Sequence, residues 1–205
     1  MKAIQIVEES LIWTEVDTPE PKKGEVLIKI LATAINRADL AQRSGNYPPP
    51  DGESDILGLE CSGEIVKVGE GIDEERIGEN VCALLAGGGY AEYVCCPSIQ
   101  AIKVPNNLSI IESASLPEVF ATCWLNLFIE GDLYKGQNIL LHAGASGIGT
   151  AAIQLCNSFG ANSFVTVGNE EKLKLAGKGL PTQNEVFTKE GADANFSRTT
   201  YYLTT

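Results

Sequence analysis

The run Leu140-Leu141-His142-Ala143-Gly144-Ala145-Ser146-Gly147-Ile148-Gly149-Thr150-Ala151-Ala152 passes from an apolar strand through small residues into a segment with helical apolar spacing at Ile153 and Cys156. Small residues in that order suit the binding of a pyrophosphate. Gly144 and Gly147 allow a turn and let an anion reach the backbone N–H groups of a helix N-terminus. Gly149 lets the same helix lie close on the strand. The spacing is not the strict G-x-G-x-x-G, so the motif by itself also fits an ordinary tight strand-to-helix turn. Its surroundings favour a dinucleotide, with a strand before it, a helix after it and a second strand at residues 163–167. That second strand ends Val167-Gly168-Asn169, without the acid that would bond the adenosine ribose of NAD. NADPH is therefore the expected cofactor, with Gly168 at the strand tip and Lys172 one turn on as the cation for its extra phosphate. Glu170 and Glu171 beside Lys172 have two readings: favourable first-turn charges behind an Asn169 cap, or a ribose ligand for NAD.

The elements that position these residues follow from the texture of the chain. Residues 118–128 have helical length, 138–143 form a buried apolar strand, 147–159 a helix and 163–167 another strand, which makes a β-α-β unit with a parallel sheet. Before residue 117 the chain shows short β-like runs broken by glycine and proline, at 2–6, 25–34, 61–68, 80–85, 91–95 and 101–103. This pattern predicts a partly open β-barrel over 1–117, followed by a dinucleotide-binding domain over 118–176, an α/β chain as a whole. Residues 177–205 lose the periodicity and read as a poorly ordered tail. Two parallel strands are legible where a complete dinucleotide fold has roughly six. The expectation is a chain that stops before that fold is complete and binds its cofactor weakly.

Composition narrows the function. The 205 residues are 44% hydrophobic, enough for one substantial core or two small ones, and carry 15 basic against 27 acidic side chains for a formal charge of −12. Such a charge disfavours nucleic acid and anionic membranes as partners and fits a small-molecule role. The N-terminus has acids inside its apolar stretch and no run approaches the roughly 20 apolar residues of a membrane span, so a cytoplasmic protein is expected. Six cysteines lack C-x-x-C spacing and read as small apolar residues.

Further motifs carry a resemblance. Asn36-Arg37-Ala38-Asp39-Leu40, Gln42-Arg43-Ser44-Gly45-Asn46-Tyr47-Pro48-Pro49-Pro50, Leu57-Gly58-Leu59-Glu60, Gly87-Gly88-Gly89-Tyr90-Ala91-Glu92-Tyr93 and Leu116-Pro117-Glu118, together with the glycine-rich turn, resemble the quinone oxidoreductases of the medium-chain dehydrogenase/reductase superfamily. Within it the chain is most similar to the zeta-crystallin-related, tumour-suppressor-inducible branch. The resemblance runs in order through residues 1 to about 176 and implies a GroES-like barrel followed by the first part of a Rossmann domain. The zinc-dependent alcohol dehydrogenases of that superfamily have Cys-x-x-Asp where this chain has Asn36-Arg37-Ala38-Asp39, and Gly-His-Glu where it has Gly58-Leu59-Glu60. Asn36 and Leu59 cannot supply the sulfur and nitrogen ligands of a catalytic zinc, so no metal is expected.

The chemistry the resemblance implies is hydride transfer from NADPH to a quinone, an acceptor that needs little polarisation. By the same resemblance Asn36 and Tyr47 are the catalytic-site residues near nicotinamide and quinone, and Thr122 touches the nicotinamide end. Gly144, Ser146, Gly147 and Gly149 meet the pyrophosphate, and Gly168 and Lys172 lie by the adenosine phosphate. Each has a plainer reading: Tyr47 as a loop cap before three prolines, Asn36 as a partner for backbone groups after a strand, Thr122 bonded back to a helix carbonyl. His142 reads as a packing residue. The dimer-forming sheet edge of the family is not legible here, and a catalytically inactive truncated form of such an enzyme is the alternative function.

Overall fold

The computed structural model describes residues 1–8, 10–177, 186–188 and 201–203. The chain divides into two units, Met1–Glu118 and Val119–Thr205. The first is built on strands. β1 (Lys2–Val7) and β2 (Ser10–Glu15) form an antiparallel hairpin with Ile4 opposite Trp13. β3 (Glu25–Thr33) leads to α1 (Arg37–Arg43), and β4 (Glu60–Val68), β5 (Asn80–Leu84), β6 (Tyr93–Pro97) and β7 (Ala101–Lys103) follow. These five strands make one antiparallel sheet in the order β6-β3-β4-β5-β7. The β3–β4 pairing shifts register between Leu27 and Ile28 and again between Ile30 and Ala32. Irregularities of this kind bend a strand and raise its twist, which curls the sheet into a half-barrel. Val26, Ile28, Cys61, Ile65, Val81, Ala83, Val94 and Cys96 fill its concave side. α2 (Ile110–Ser113) closes the unit, capped by Ser109, whose hydroxyl accepts from Glu112 N.

α3 (Pro117–Trp124) carries the chain across the division and continues as a π-helical turn, Leu125–Glu130. The second unit then alternates: β8 (Asn138–Leu141), α4 (Gly147–Phe159), β9 (Asn162–Val167), α5 (Glu170–Gly177), β10 (Val186–Thr188) and β11 (Tyr201–Leu203). All pairings are parallel, in the order β10-β9-β8-β11. α4 buries Ala151, Ala152, Ile153 and Cys156 against Ile139, Leu141, Val165 and Val167, so helix and strands share one apolar core.

Several sequence expectations change. The runs at 91–95 and 138–143 are displaced or shortened, to Tyr93–Pro97 and Asn138–Leu141. β2 and α1 had no counterpart in the sequence reading. The sequence reads residues 177–205 as a poorly ordered tail and makes two parallel strands legible. The structure instead places 186–188 beside β9 and 201–203 beside β8, giving four. The rest of that tail, 178–185, 189–200 and 204–205, lies outside the described residues. No helix among the described residues is long and apolar enough to cross a membrane.

Candidate functional site

In the second unit, β8 ends at Leu141 and the chain leaves the sheet through His142 and Ala143. Ala143 has φ +55, a left-handed conformation uncommon outside glycine. The turn is held from three sides. Gly144 N donates to Thr166 O at 3.0 Å, Ser146 N donates to Ala143 O at 2.8 Å, and the Ser146 hydroxyl accepts from Gly149 N at 3.0 Å as the cap of α4. A Cβ at Gly144 would sit 2.6 Å from the Val165 Cβ, and one at Gly149 would sit 2.5 Å from the Ala143 oxygen and 2.6 Å from Gly144 Cα. Both positions therefore require glycine for close packing. Gly147 differs: a Cβ there would meet only Val119, at 3.3 Å. The first N–H groups of a helix have no partner within it. Ser146 takes that of Gly149, and small side chains flank the others, so the turn fits an anion of pyrophosphate size at the positive end of the thirteen-residue α4.

At the tip of β9, Gly168 has open space around it and Asn169 caps α5, its Oδ1 accepting from Lys172 N at 2.9 Å. Glu170 and Glu171 are exposed in the first turn of that helix, and the Lys172 side chain is exposed as well. This is the capping arrangement, one of the two readings of that segment. Thr122 is half-buried in α3, and its carbonyl accepts from Asn126 Nδ2 at 2.8 Å. Among the described residues its hydroxyl makes no bond back to the helix, so that plainer reading is not realised. His142 Nδ1 lies 2.9 Å from Thr166 Oγ1.

In the first unit the sequence-predicted Asn36 belongs to a buried polar network that the sequence did not reveal. Its backbone N–H donates to Asp39 Oδ2 at 2.7 Å, and its carboxamide Nδ2 donates to Glu60 Oε1 at 2.8 Å. Glu60 Oε2 accepts from Glu118 N at 2.9 Å, the Tyr90 hydroxyl donates to Asp39 Oδ2 at 2.9 Å, and Thr33 Oγ1 fixes the Glu60 carbonyl at 2.7 Å. Asp39 and Glu60 are 2% and 1% exposed. Asp39 Oδ1 and the Gln42 carboxamide are buried with no hydrogen-bond partner among the described residues, so α1 brings more polarity into the interior than it satisfies. Burial pushes the Glu60 carboxyl above the usual carboxylate range; the bonds from Glu118 N and Asn36 oppose this, and the Asp39 charge adds to it. Glu118 is raised by burial and then by Glu60 and Asp39. Tyr90 is raised by burial and by its bond to Asp39. Tyr47 stands outside this network, 53% exposed in the loop before Pro48.

The thiols behave as apolar groups. Burial pushes Cys96 and Cys156 up to about 12 and Cys95 and Cys123 up to about 11, with Cys61 and Cys82 raised by the same cause, so none is a ready nucleophile at neutral pH.

Comparison with known proteins agrees with this fold. Residues 22–106 match the alcohol dehydrogenase GroES-like domain. The human synaptic vesicle membrane protein VAT-1 homolog-like is 35% identical over 140 residues, 68% of this chain and 33% of that protein. A mycobacterial protein solved in complex with NADPH superposes with a TM-score of 0.80 at 30% identity, over 92% of this chain and 58% of the other. An NAD-dependent alcohol dehydrogenase superposes at 0.80 and 28% identity, over 93% and 64%. The chain thus spans about a third of that curated relative and about three-fifths of the two solved structures.

Proposed function

We propose that the chain is a zinc-independent reductase of the medium-chain dehydrogenase/reductase superfamily, which takes NADPH and delivers hydride to a quinone; the GroES-like domain match and the likeness to the NADPH-complexed mycobacterial protein support this reading. The observation that carries this reading is the turn before α4, where Gly144 and Gly149 pack against backbone and side chain while the helix N-terminus stays open to an anion. The residues present fit a nicotinamide dinucleotide. Gly147, the first residue of α4, offers its backbone N–H to the pyrophosphate beside the Ser146 side chain, and the helix dipole favours its charge. Gly168 leaves room at the tip of β9. Asn169, held as a helix cap, brings no negative charge against a 2′-phosphate, and the exposed Lys172 supplies a cation. When bound, NADPH supplies the hydride.

The first unit's part is to receive and orient the acceptor. Asn36 and Tyr47 are assigned to the acceptor and Thr122 to the nicotinamide end, following the resemblance of their motifs. Metal independence is supported by the side chains themselves: Asn36 commits its Nδ2 to Glu60, and Leu59 is a buried apolar residue, where the zinc-dependent relatives have metal-binding groups.

The test is NADPH oxidation with a small ortho-quinone, followed at 340 nm for the wild type and for Tyr47→Phe and Gly147→Asp. The reading expects turnover that falls at least about tenfold in each variant, a loss of roughly 1.4 kcal/mol of transition-state stabilisation. A folded chain with no turnover would favour the inactive form, and rates unchanged in Gly147→Asp would remove the cradle from the mechanism.

A further inference from the structure

Glu60 is a buried carboxylate with two fixed obligations. One oxygen faces the Glu118 N–H at 2.9 Å, a backbone donor that cannot reverse its polarity. The other faces the Asn36 carboxamide at 2.8 Å, a group that can present either its NH₂ or its oxygen. As long as both Glu60 oxygens are acceptors, Asn36 must turn its NH₂ toward Glu60. Its own oxygen then lies on the side of the α1 N-terminus, where Asn36 and Asp39 form a reciprocal capping box. If the atom facing Asn36 becomes a donor, by protonation of Glu60 or by replacement with glutamine, the carboxamide must flip. That flip sets its NH₂ against the N–H groups that open α1, donor against donor.

We propose that Glu60 is a positioning residue of the reductase site, which sets the flip state of the Asn36 carboxamide and with it the seating of the turn that begins α1. The inference rests on the functional reading above only in assigning Asn36 to that site. The groups facing Glu60 are Asp39 from α1, Tyr90 from the loop before β6, Glu118 from α3, Cys61 beside it on β4 and Cys82 on β5. None is a cation, and Glu60 has no ion-pair partner among the described residues. Only the two hydrogen bonds favour its ionised form. Burial and the Asp39 charge favour the proton, so the switch between acceptor and donor falls above the titration of an exposed glutamate.

The test reads Asn36 directly. In nitrogen-15 correlation spectra of the whole chain, the Asn36 side-chain amide pair is identified by its loss in Asn36→Ala and followed from pH 4 to 8. The pair is expected to shift with a midpoint above the roughly 4.3 of a free glutamate, and to lose that transition in Glu60→Gln. The Asn36 backbone N–H, which faces Asp39, reports on the neighbouring carboxylate separately. A pair that does not titrate in the wild type, or titrates unchanged in Glu60→Gln, overturns the inference. Should Glu60→Gln fail to fold, the wild-type titration alone decides.

In kinetics, Glu60→Gln is expected to lower kcat/KM on the order of tenfold, the size of one charge-assisted hydrogen bond, and to flatten the acid limb of its pH profile. The double variant Glu60→Gln/Asn36→Asp exchanges the donor and acceptor roles and should recover the thermal midpoint lost in Glu60→Gln. A wild type without quinone turnover would count against the functional reading and leave the spectroscopic result standing. A turning-over wild type whose pH profile is unchanged in Glu60→Gln would count against Glu60.

Discussion

A methyl group at Gly149 would press on backbone from two sides, 2.5 Å from the Ala143 oxygen and 2.6 Å from Gly144 Cα, and backbone cannot rotate away as a side-chain tip can. Gly149→Ala is therefore expected to lower stability by about 1–3 kcal/mol, as other overpacked sites do, and to weaken NADPH binding in parallel. Gly168→Ala, into open space, should leave the unfolding midpoint near that of the wild type. Urea unfolding of both variants beside a cofactor titration checks the pair. The packing role of Gly149 is legible in the sequence because strand, turn and helix lie within thirteen residues of one another; that of Gly144 against Val165, twenty-one positions on, is not. The network of Asp39, Glu60, Tyr90 and Glu118 was not: its bonds join residues 24, 51 and 58 positions apart, and each residue alone reads as a solvated polar group. The one local signal was Glu60 itself, an acid set between Leu59 and Cys61 in a run that is otherwise apolar and small.

At the level of elements, α4 depends on the residue that caps it, Ser146. Ser146 accepts from Gly149 N and its backbone closes the turn onto Ala143, so Ser146→Ala removes the cap while leaving the backbone in place. The expected cost is about 1 kcal/mol, read as a lower thermal midpoint, with a smaller loss of cofactor affinity than at Gly147. A midpoint equal to the wild type would mean that packing on β8 and β9, and not the cap, holds the helix. The helices and strands around this turn were readable from apolar runs of the right length. Others gave no periodic signal for physical reasons. β2 exists by pairing with β1 and leaves Leu11, Ile12 and Trp13 exposed, so its apolar residues do not mark a buried face. α1 has only seven residues and buries the polar Asp39 and Gln42, the reverse of an amphipathic helix. The run at 138–143 looked like a longer strand because His142 and Ala143 follow three apolar residues, yet the left-handed backbone at Ala143 ends the ladder at Leu141.

Across the whole chain, two units have separate cores: Asn36 and Tyr47 lie in the segment between β3 and β4 of the antiparallel unit, and the glycine-rich turn follows β8 in the parallel one. The order β10-β9-β8-β11 puts β8 between strands that precede and follow the reversal of strand order, the place where open α/β sheets bind ligands beyond their carboxyl ends. That arrangement was hidden in the sequence because 186–188 and 201–203 are three-residue strands in a polar stretch, too short for a period to show. The central claim is that this turn binds NADPH. Its most direct test is a fluorescence titration of the purified chain with NADPH and NADH, beside Gly147→Asp and Lys172→Ala. The account predicts saturable binding that prefers NADPH and disappears in Gly147→Asp. In Lys172→Ala the preference should shrink by up to about fivefold, the size of an exposed ion pair. A folded wild type that binds neither cofactor, or a Gly147→Asp variant that binds as the wild type does, would contradict it.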